Sequence, residues 1–258
     1  MSKKPLILIT NDDGITAPGI RSLIKVMNEI GEVIVVAPDS PQSAMGHAIT
    51  INSTLHCSKI KLDDGPQKEY SCSGTPADCI KLAVNELMDR KPDICVSGVN
   101  HGSNSSINVI YSGTMSAALE AGILGIPAIG FSLLDYRWNA NFDPLKPAIK
   151  SITENAIKNG IPQNVVLNVN MPKVDSSKEL MGIKICRQAK AYWIEEFDKR
   201  TNPMGKEYYW LTGELINKDK GEDTDEWALN KKFISIVPVQ YDLTAHHVIQ
   251  ELNSWNFG

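Results

Sequence analysis

The chain reads as an α/β protein, a doubly wound and mainly parallel Rossmann-like sheet with a C-terminal β-hairpin arm. Three observations predict this. Residues 6–9 (LILI) and 33–37 (VIVVA) are unbroken apolar runs, the pattern of parallel strands buried on both faces. Between them Ile20, Leu23, Ile24 and Met27 recur at helical spacing and the pattern stops at Gly31, which completes a βαβ unit with an expected right-handed crossover. Late in the chain, aromatic residues crowd on both sides of the turn signal Asn202-Pro203-Met204-Gly205, as in a long hairpin with cross-strand aromatic pairs.

The elements follow in order. The first strand stops abruptly at Asn11-Asp12-Asp13-Gly14, and the second at Pro38-Asp39-Ser40-Pro41-Gln42-Ser43. Over residues 45–73 the pattern breaks into short alternating pieces, 49–51 and 60–62, with Asp63-Asp64-Gly65-Pro66 between strands; this predicts an antiparallel excursion. Thr75 fits an N-cap and Pro76 the first position of a helix over 76–88. A third apolar strand, 93–97, runs into Gly98-Val99-Asn100-His101-Gly102, and Tyr111-Ser112-Gly113-Thr114 leads into a small-residue helix over 115–124. A strand at 127–133, a helix at 144–159 and a strand at 165–169 complete the core. Beyond it are a strand-like 183–186, the hairpin within 192–221, a charged and mobile loop at 218–225, a strand at 234–238 and a terminal helix at 244–252. The expected division is a catalytic core over 1–175 and a C-terminal part over 176–258, whose hairpin arm serves oligomerisation, because a lone hairpin is marginal in water.

Composition narrows the partners. A chain of 258 residues, 42% apolar and 22% charged, suffices for one large α/β domain or one domain with an appendage. The net charge of −4 argues against a nucleic-acid duplex or an anionic membrane as partner. No run approaches the ~18 apolar residues of a membrane span. The basic residues before Leu6 resemble the start of a signal peptide, but the apolar run is too short and the acidic pair follows at once. Five cysteines, at 57, 72, 79, 95 and 186, contain no C-x-x-C pair, so neither a disulfide framework nor a zinc ribbon is indicated. The expected location is the cytoplasm.

Candidate chemistry gathers at strand ends. Asp12 and Asp13 are adjacent carboxylates that repel unless a cation neutralises them, although Asn-Asp-Asp-Gly is also good turn chemistry. Ligands in open α/β sheets sit at the carboxyl ends of the strands, which is where this pair, Ser43 and Asn100 fall. Hard oxygen donors favour Mg²⁺, Mn²⁺ or Ca²⁺ over zinc. The Ser112–Thr114 helix start offers free backbone N–H groups to a phosphate. A hard cation beside an anion-binding helix start suggests metal-assisted phosphoryl transfer to water. His47 and His101 are the histidines near this edge, and a lone loop histidine is more often solvated than catalytic. No G-x-S-x-G elbow, Walker loop or dinucleotide fingerprint occurs.

These segments resemble the survival protein E (SurE) family of 5′/3′-nucleotidases. The resemblance rests on ILITNDDGITAPGI, VVAPDSPQSAMGHAIT, SGTPADCIKLA, VSGVNHGSN and YSGTMSAALEAG, and extends to NPMGKEYYWLTGE and ISIVPVQYDLT. It implies a divalent-metal-dependent phosphatase acting on nucleoside 5′- and 3′-monophosphates, with short-chain polyphosphate as a further substrate in some members. It implies one cation per subunit, Mg²⁺ or Mn²⁺, held by Asp12, Asp13, Ser43 and Asn100. Phosphate contacts carry over to Ser112, Gly113 and Thr114, with Asn11 close by. Asp12 and Asp13 are the catalytic candidates, either with a metal-bound water as nucleophile or through a direct aspartyl-phosphate. Members form homodimers or homotetramers through an exchanged C-terminal arm. A sensor that holds a nucleotide without turning it over, or a phosphatase indifferent to the base, would carry the same site.

Overall fold

The computed structural model describes residues 4–257. β1 (Leu6–Thr10) lies near the middle of a nine-stranded sheet, and every one of its residues is buried. It pairs in parallel with β2 (Glu32–Pro38) on one side and β5 (Ile94–His101) on the other. α1 (Pro18–Asn28) crosses between β1 and β2, as the apolar spacing predicts, and buries Ile20, Leu23, Ile24 and Met27. β6 (Ala128–Leu133) and β7 (Val165–Met171) continue the parallel order beyond β5. α3 (Gly113–Ile123) and α4 (Lys146–Asn159) make the connections. One apolar layer gathers α1, α4 and side chains such as Ile7, Ile9 and Val96; the other gathers α3, Leu8, Val36 and Cys95. The sheet is therefore covered on both faces, which is why its strands read as continuous apolar runs. Burying a Leu or Ile in this way contributes roughly 1.5–3 kcal/mol.

The excursion after β2 differs from its expected form. β3 (Cys57–Ile60) and β4 (Lys68–Cys72) are antiparallel to each other, but β4 also pairs in parallel with β2, so the excursion extends the main sheet. Residues 49–51 are not a strand. The Thr50 N–H and hydroxyl instead donate to the Asp78 carboxylate at 3.0 and 2.6 Å, and side-chain bonds of this kind replace a ladder. Asp78 belongs to α2 (Pro76–Leu82), capped by Thr75 as expected; the helix then widens into a π-helical turn over Ala83–Leu87.

Residues past 175 add two strands to the same sheet. β11 (Ile234–Gln240) pairs antiparallel with β7, and β8 (Ile183–Ile185) lies beside β11 in parallel. The hairpin forms as β9 (Ala191–Thr201) and β10 (Glu207–Asn217), a separate two-stranded sheet. Asn202 closes its turn by accepting the N–H groups of Met204 and Lys206 on Oδ1 at 3.0 and 2.9 Å. The loop expected to be mobile at 218–225 is held: Arg187 engages Asp219 at 2.5 Å and Asp223 at 2.8 Å. It ends in a helix the spacing did not reveal, α5 (Asp225–Asn230), capped by Thr224. The terminal helix is shorter than expected, a 3₁₀ turn at His246–Val248 followed by α6 (Ile249–Leu252). Among the described residues, no helix is long and apolar enough to cross a membrane.

Candidate active site

The acidic turn sits where β1 leaves the sheet, flanked by the ends of β2 and β5. Asn11 fastens the turn by donating from Nδ2 to the Gly14 carbonyl at 2.9 Å, while its Oδ1 is buried with no hydrogen-bond partner. Asp12 is only 4% exposed. Thr114, in the first turn of α3, donates its hydroxyl to Asp12 Oδ1 at 2.5 Å, and the Thr114 N–H also bears on this carboxyl. Burial, and then the charge of Asp13, push Asp12 up to about 6 against those hydrogen bonds.

Gly113 makes this approach possible. A Cβ there would lie 2.6 Å from Asp12 Cβ and 2.9 Å from its Oδ2, closer than side-chain atoms pack. Ser112 caps α3 by accepting the Met115 N–H on its hydroxyl at 3.0 Å and the Ser116 N–H on its carbonyl at 3.0 Å. Gly113 is therefore the first-turn residue whose N–H is not already committed within the helix or to Asp12.

The neighbouring strands supply the rest. The Asp12 carbonyl accepts the Gln42 N–H at 2.7 Å, which ties the turn after β2 to the site; Ser43 follows in that turn and is exposed. On β5 the ladder to β6 shifts register between Ser97 and Asn100. Gly98 occupies this irregularity with φ +123°, and a Cβ there would lie 2.3 Å from the Phe131 carbonyl oxygen. Asn100, just beyond, donates from Nδ2 to the Gly102 carbonyl at 2.9 Å, so its amide oxygen is the atom left for a ligand. The structure thus assembles the ends of β1, β2 and β5 and the start of α3 around one carboxylate pair.

His101 departs from the expectation of a solvated loop histidine. Its backbone N–H and Nδ1 both lie on Asp13 Oδ2, at 3.2 and 3.0 Å. A carboxylate only accepts, so Nδ1 carries the proton. The ring stacks on Trp138 at 5.7 Å and meets Phe142 edge-on at 5.1 Å, which leaves Nε2 buried without a partner. Only its place beside Asn100 signals this in the sequence; Trp138 and Phe142 give no local sign. His47 points elsewhere, to Glu120 at 2.9 Å, and lines a separate cavity of about 870 Å³ beside Leu119, Val237 and Tyr241.

The donor set is selective about what it can hold. Among the described residues, no three His, Cys, Asp or Glu side chains converge as a metal site. What converges is a carboxylate pair with neutral oxygens, the set that suits a hard cation keeping some of its waters and sharing a substrate phosphate. The partnerless Asn11 Oδ1 and the buried Asp12 carboxylate, repelled by Asp13 beside it, fit a cationic occupant.

The same chain matches the family model described as "Survival protein SurE" over residues 7–195. It belongs to the SurE family. A protein named 5′-nucleotidase SurE from Flavobacterium psychrophilum is 72% identical to it, with 99% of each chain covered. A second of that name, from Christiangramia forsetii, is 69% identical over 99% of this chain and 98% of its own. Among solved structures, the SurE protein of Aquifex aeolicus superposes with a TM-score of 0.83 at 37% identity, covering 96% of this chain and 98% of that one. The SurE assignment extends past the acidic turn to the hairpin arm, since these matches span nearly the whole chain.

Proposed function

We propose that this SurE-family chain is a phosphoric monoester hydrolase that cleaves nucleoside 5′- and 3′-monophosphates to nucleoside and phosphate, with short-chain polyphosphate as a further substrate. One observation carries the reading. The Asp12 carboxylate is buried at the start of α3, fixed by Thr114 and admitted by the missing Gly113 side chain, with Asp13 and Asn100 beside it. Homologues that cover the full chain and carry the name 5′-nucleotidase support the substrate class.

Asp12, Asp13, Ser43 and Asn100 would hold one divalent cation, Mg²⁺ or Mn²⁺. When bound, such an ion neutralises charge on the phosphoryl group and lowers the pKa of a coordinated water. The Ser112 hydroxyl and the Gly113 N–H hold the phosphoryl oxygens at the helix start, where the helix dipole favours an anion. Thr114, whose hydroxyl and N–H are on Asp12, and Asn11, whose Nδ2 is on Gly14, border the same side. Thr114 also keeps Asp12 in one orientation, and His101 does the same for Asp13 Oδ2. This division leaves Asp13 Oδ1 and the Asn100 amide oxygen as the atoms that would be free to ligate a cation.

The β9–β10 arm serves assembly. It exposes Tyr192, Ile194, Phe197, Tyr209, Trp210 and Leu211, an apolar surface that a second copy would cover in a homodimer or homotetramer.

The test is release of inorganic phosphate from a panel of nucleoside 5′- and 3′-monophosphates and short polyphosphate. It is run after EDTA treatment and again with Mg²⁺ or Mn²⁺ restored. Metal-restored hydrolysis with a base preference is the expected result. Nucleotide binding without release under any metal would make the protein a sensor and overturn the proposal.

A further inference from the structure

Three of the five cysteines meet at the open edge of the sheet, in a cluster the phosphatase reading does not use. Cys57 on β3 and Cys72 on β4 are direct partners across the antiparallel ladder. The next pair along is hydrogen-bonded, with the Ser73 N–H on the His56 carbonyl at 2.9 Å. Cys57 and Cys72 therefore form a non-hydrogen-bonded pair, whose Cα atoms stand about 4.5 Å apart and whose side chains share one face. Disulfides span Cα separations of roughly 4.4–6.8 Å, so this pair can be bridged with little backbone movement.

The environment divides the labour between the sulfurs. Cys57 is partly exposed on the terminal strand of the sheet, whereas Cys72 and Cys79 are buried. Cys79, from α2, hydrogen-bonds to the Cys72 sulfur, and this bond holds the Cys72 thiol down to about 7 despite burial. A thiol at that value is substantially ionised at neutral pH, and the thiolate is the reactive form. All five cysteines are reduced in this structure.

We propose that Cys57 and Cys72 are a reversible redox pair that closes into a cross-strand disulfide when a hydroperoxide reaches the β3 edge. The Cys57 thiol is pushed up by burial and by Cys72, but it is the one of the three that a peroxide can reach. It gives up its proton, attacks the O–O bond and becomes a sulfenic acid, while the leaving oxygen takes up a proton and departs as water or alcohol. The Cys72 thiolate then attacks the Cys57 sulfur, the S–S bond forms, and the sulfenic oxygen departs as hydroxide that takes up a proton to become water. The peroxide is reduced, the two thiols are oxidised, and a dithiol reductant reverses the step. Closure clamps the end of the 44–56 segment, which begins beside Ser43 and is already tied down at Thr50 and His47.

The experiment treats the full-length protein with hydrogen peroxide, blocks free thiols and maps non-reduced tryptic peptides by mass spectrometry. The expected product is one Cys57–Cys72 linked peptide pair, lighter by two hydrogens than the two free-thiol peptides together and separated by dithiothreitol. Cys57→Ser and Cys72→Ser each abolish it. Cys79→Ala, which keeps both partners but loses the hydrogen bond to Cys72, forms it more slowly. A Cys72–Cys79 link, a bond between two copies, or over-oxidation of Cys57 without any link would overturn the proposal.

Discussion

The contact between Gly113 and Asp12 gives the sharpest test of the site. Replacing Gly113 with Ala introduces a single Cβ, which the geometry puts 2.6 Å from Asp12 Cβ and 2.9 Å from Asp12 Oδ2. An ordinary contact begins near 3.4 Å, so the two elements must part by about 0.8 Å. Asp12 cannot swing aside freely, because Thr114 holds Oδ1 at 2.5 Å and Gln42 holds its carbonyl at 2.7 Å. The backbone of Gly113 is helical, and Ala is the best helix former, so helix propensity itself favours the variant. Overpacking of this kind costs about 1–3 kcal/mol of stability. Displacing a reacting group by about 1 Å costs on the order of 10²-fold in rate. Gly113→Ala should therefore stay folded by circular dichroism while kcat/KM for a nucleoside monophosphate, with Mn²⁺ present, falls about a hundredfold. A folded Gly113→Ala variant with wild-type turnover would refute the placement of Asp12 against the helix start as the working geometry.

Other expectations can be checked with the same preparations. Asp12→Asn keeps an acceptor for Thr114 but removes the charge, so turnover should fall by about 10²-fold or more. Its metal-free thermal midpoint should be equal to or above wild type, because the burial of the Asp12 charge and its repulsion by Asp13 are relieved. Glu120 is held below the ordinary carboxylate range by the hydrogen bond from His47 and by Lys81, against burial. A depressed carboxylate stabilises the fold above its unfolded value of 4.5 and loses that contribution as pH falls through its folded value. Glu120→Gln should thus be less stable than wild type at pH 7, with the gap in denaturant midpoint closing in acid. Phe197 and Leu211 face each other across the hairpin at 65% and 62% exposure. Changing both to Thr should leave the far-ultraviolet spectrum intact and shift sedimentation toward the one-subunit mass; an unchanged oligomer would remove the arm from the assembly.

What the sequence determined by itself was the arrangement of its parallel core. The runs at 6–9, 33–37 and 93–97 are legible because a strand buried on both faces admits only apolar side chains, and the excluded polar residues must then collect at its ends. Asp12, Asp13, Ser43 and Asn100 are visible for that reason, as is the Ser112 cap, since each is local chemistry. Tertiary structure decided the rest. Nothing local distinguishes a β4 that stays in its own hairpin from one that pairs with β2, because strand pairing is a choice between distant partners. The segment 49–51 has strand-like spacing and loses to two hydrogen bonds that Thr50 donates to Asp78, which lies 28 residues away. Thr114 reads as one more phosphate-binding hydroxyl, and its commitment to Asp12 depends on an approach across 102 residues that Gly113 permits. His101 reads as a solvated loop side chain until Trp138 and Phe142 enclose it and Asp13 fixes its proton. Periodicity and capping record what each residue needs from its neighbours in the chain, and contacts between segments that meet only after folding leave no such record.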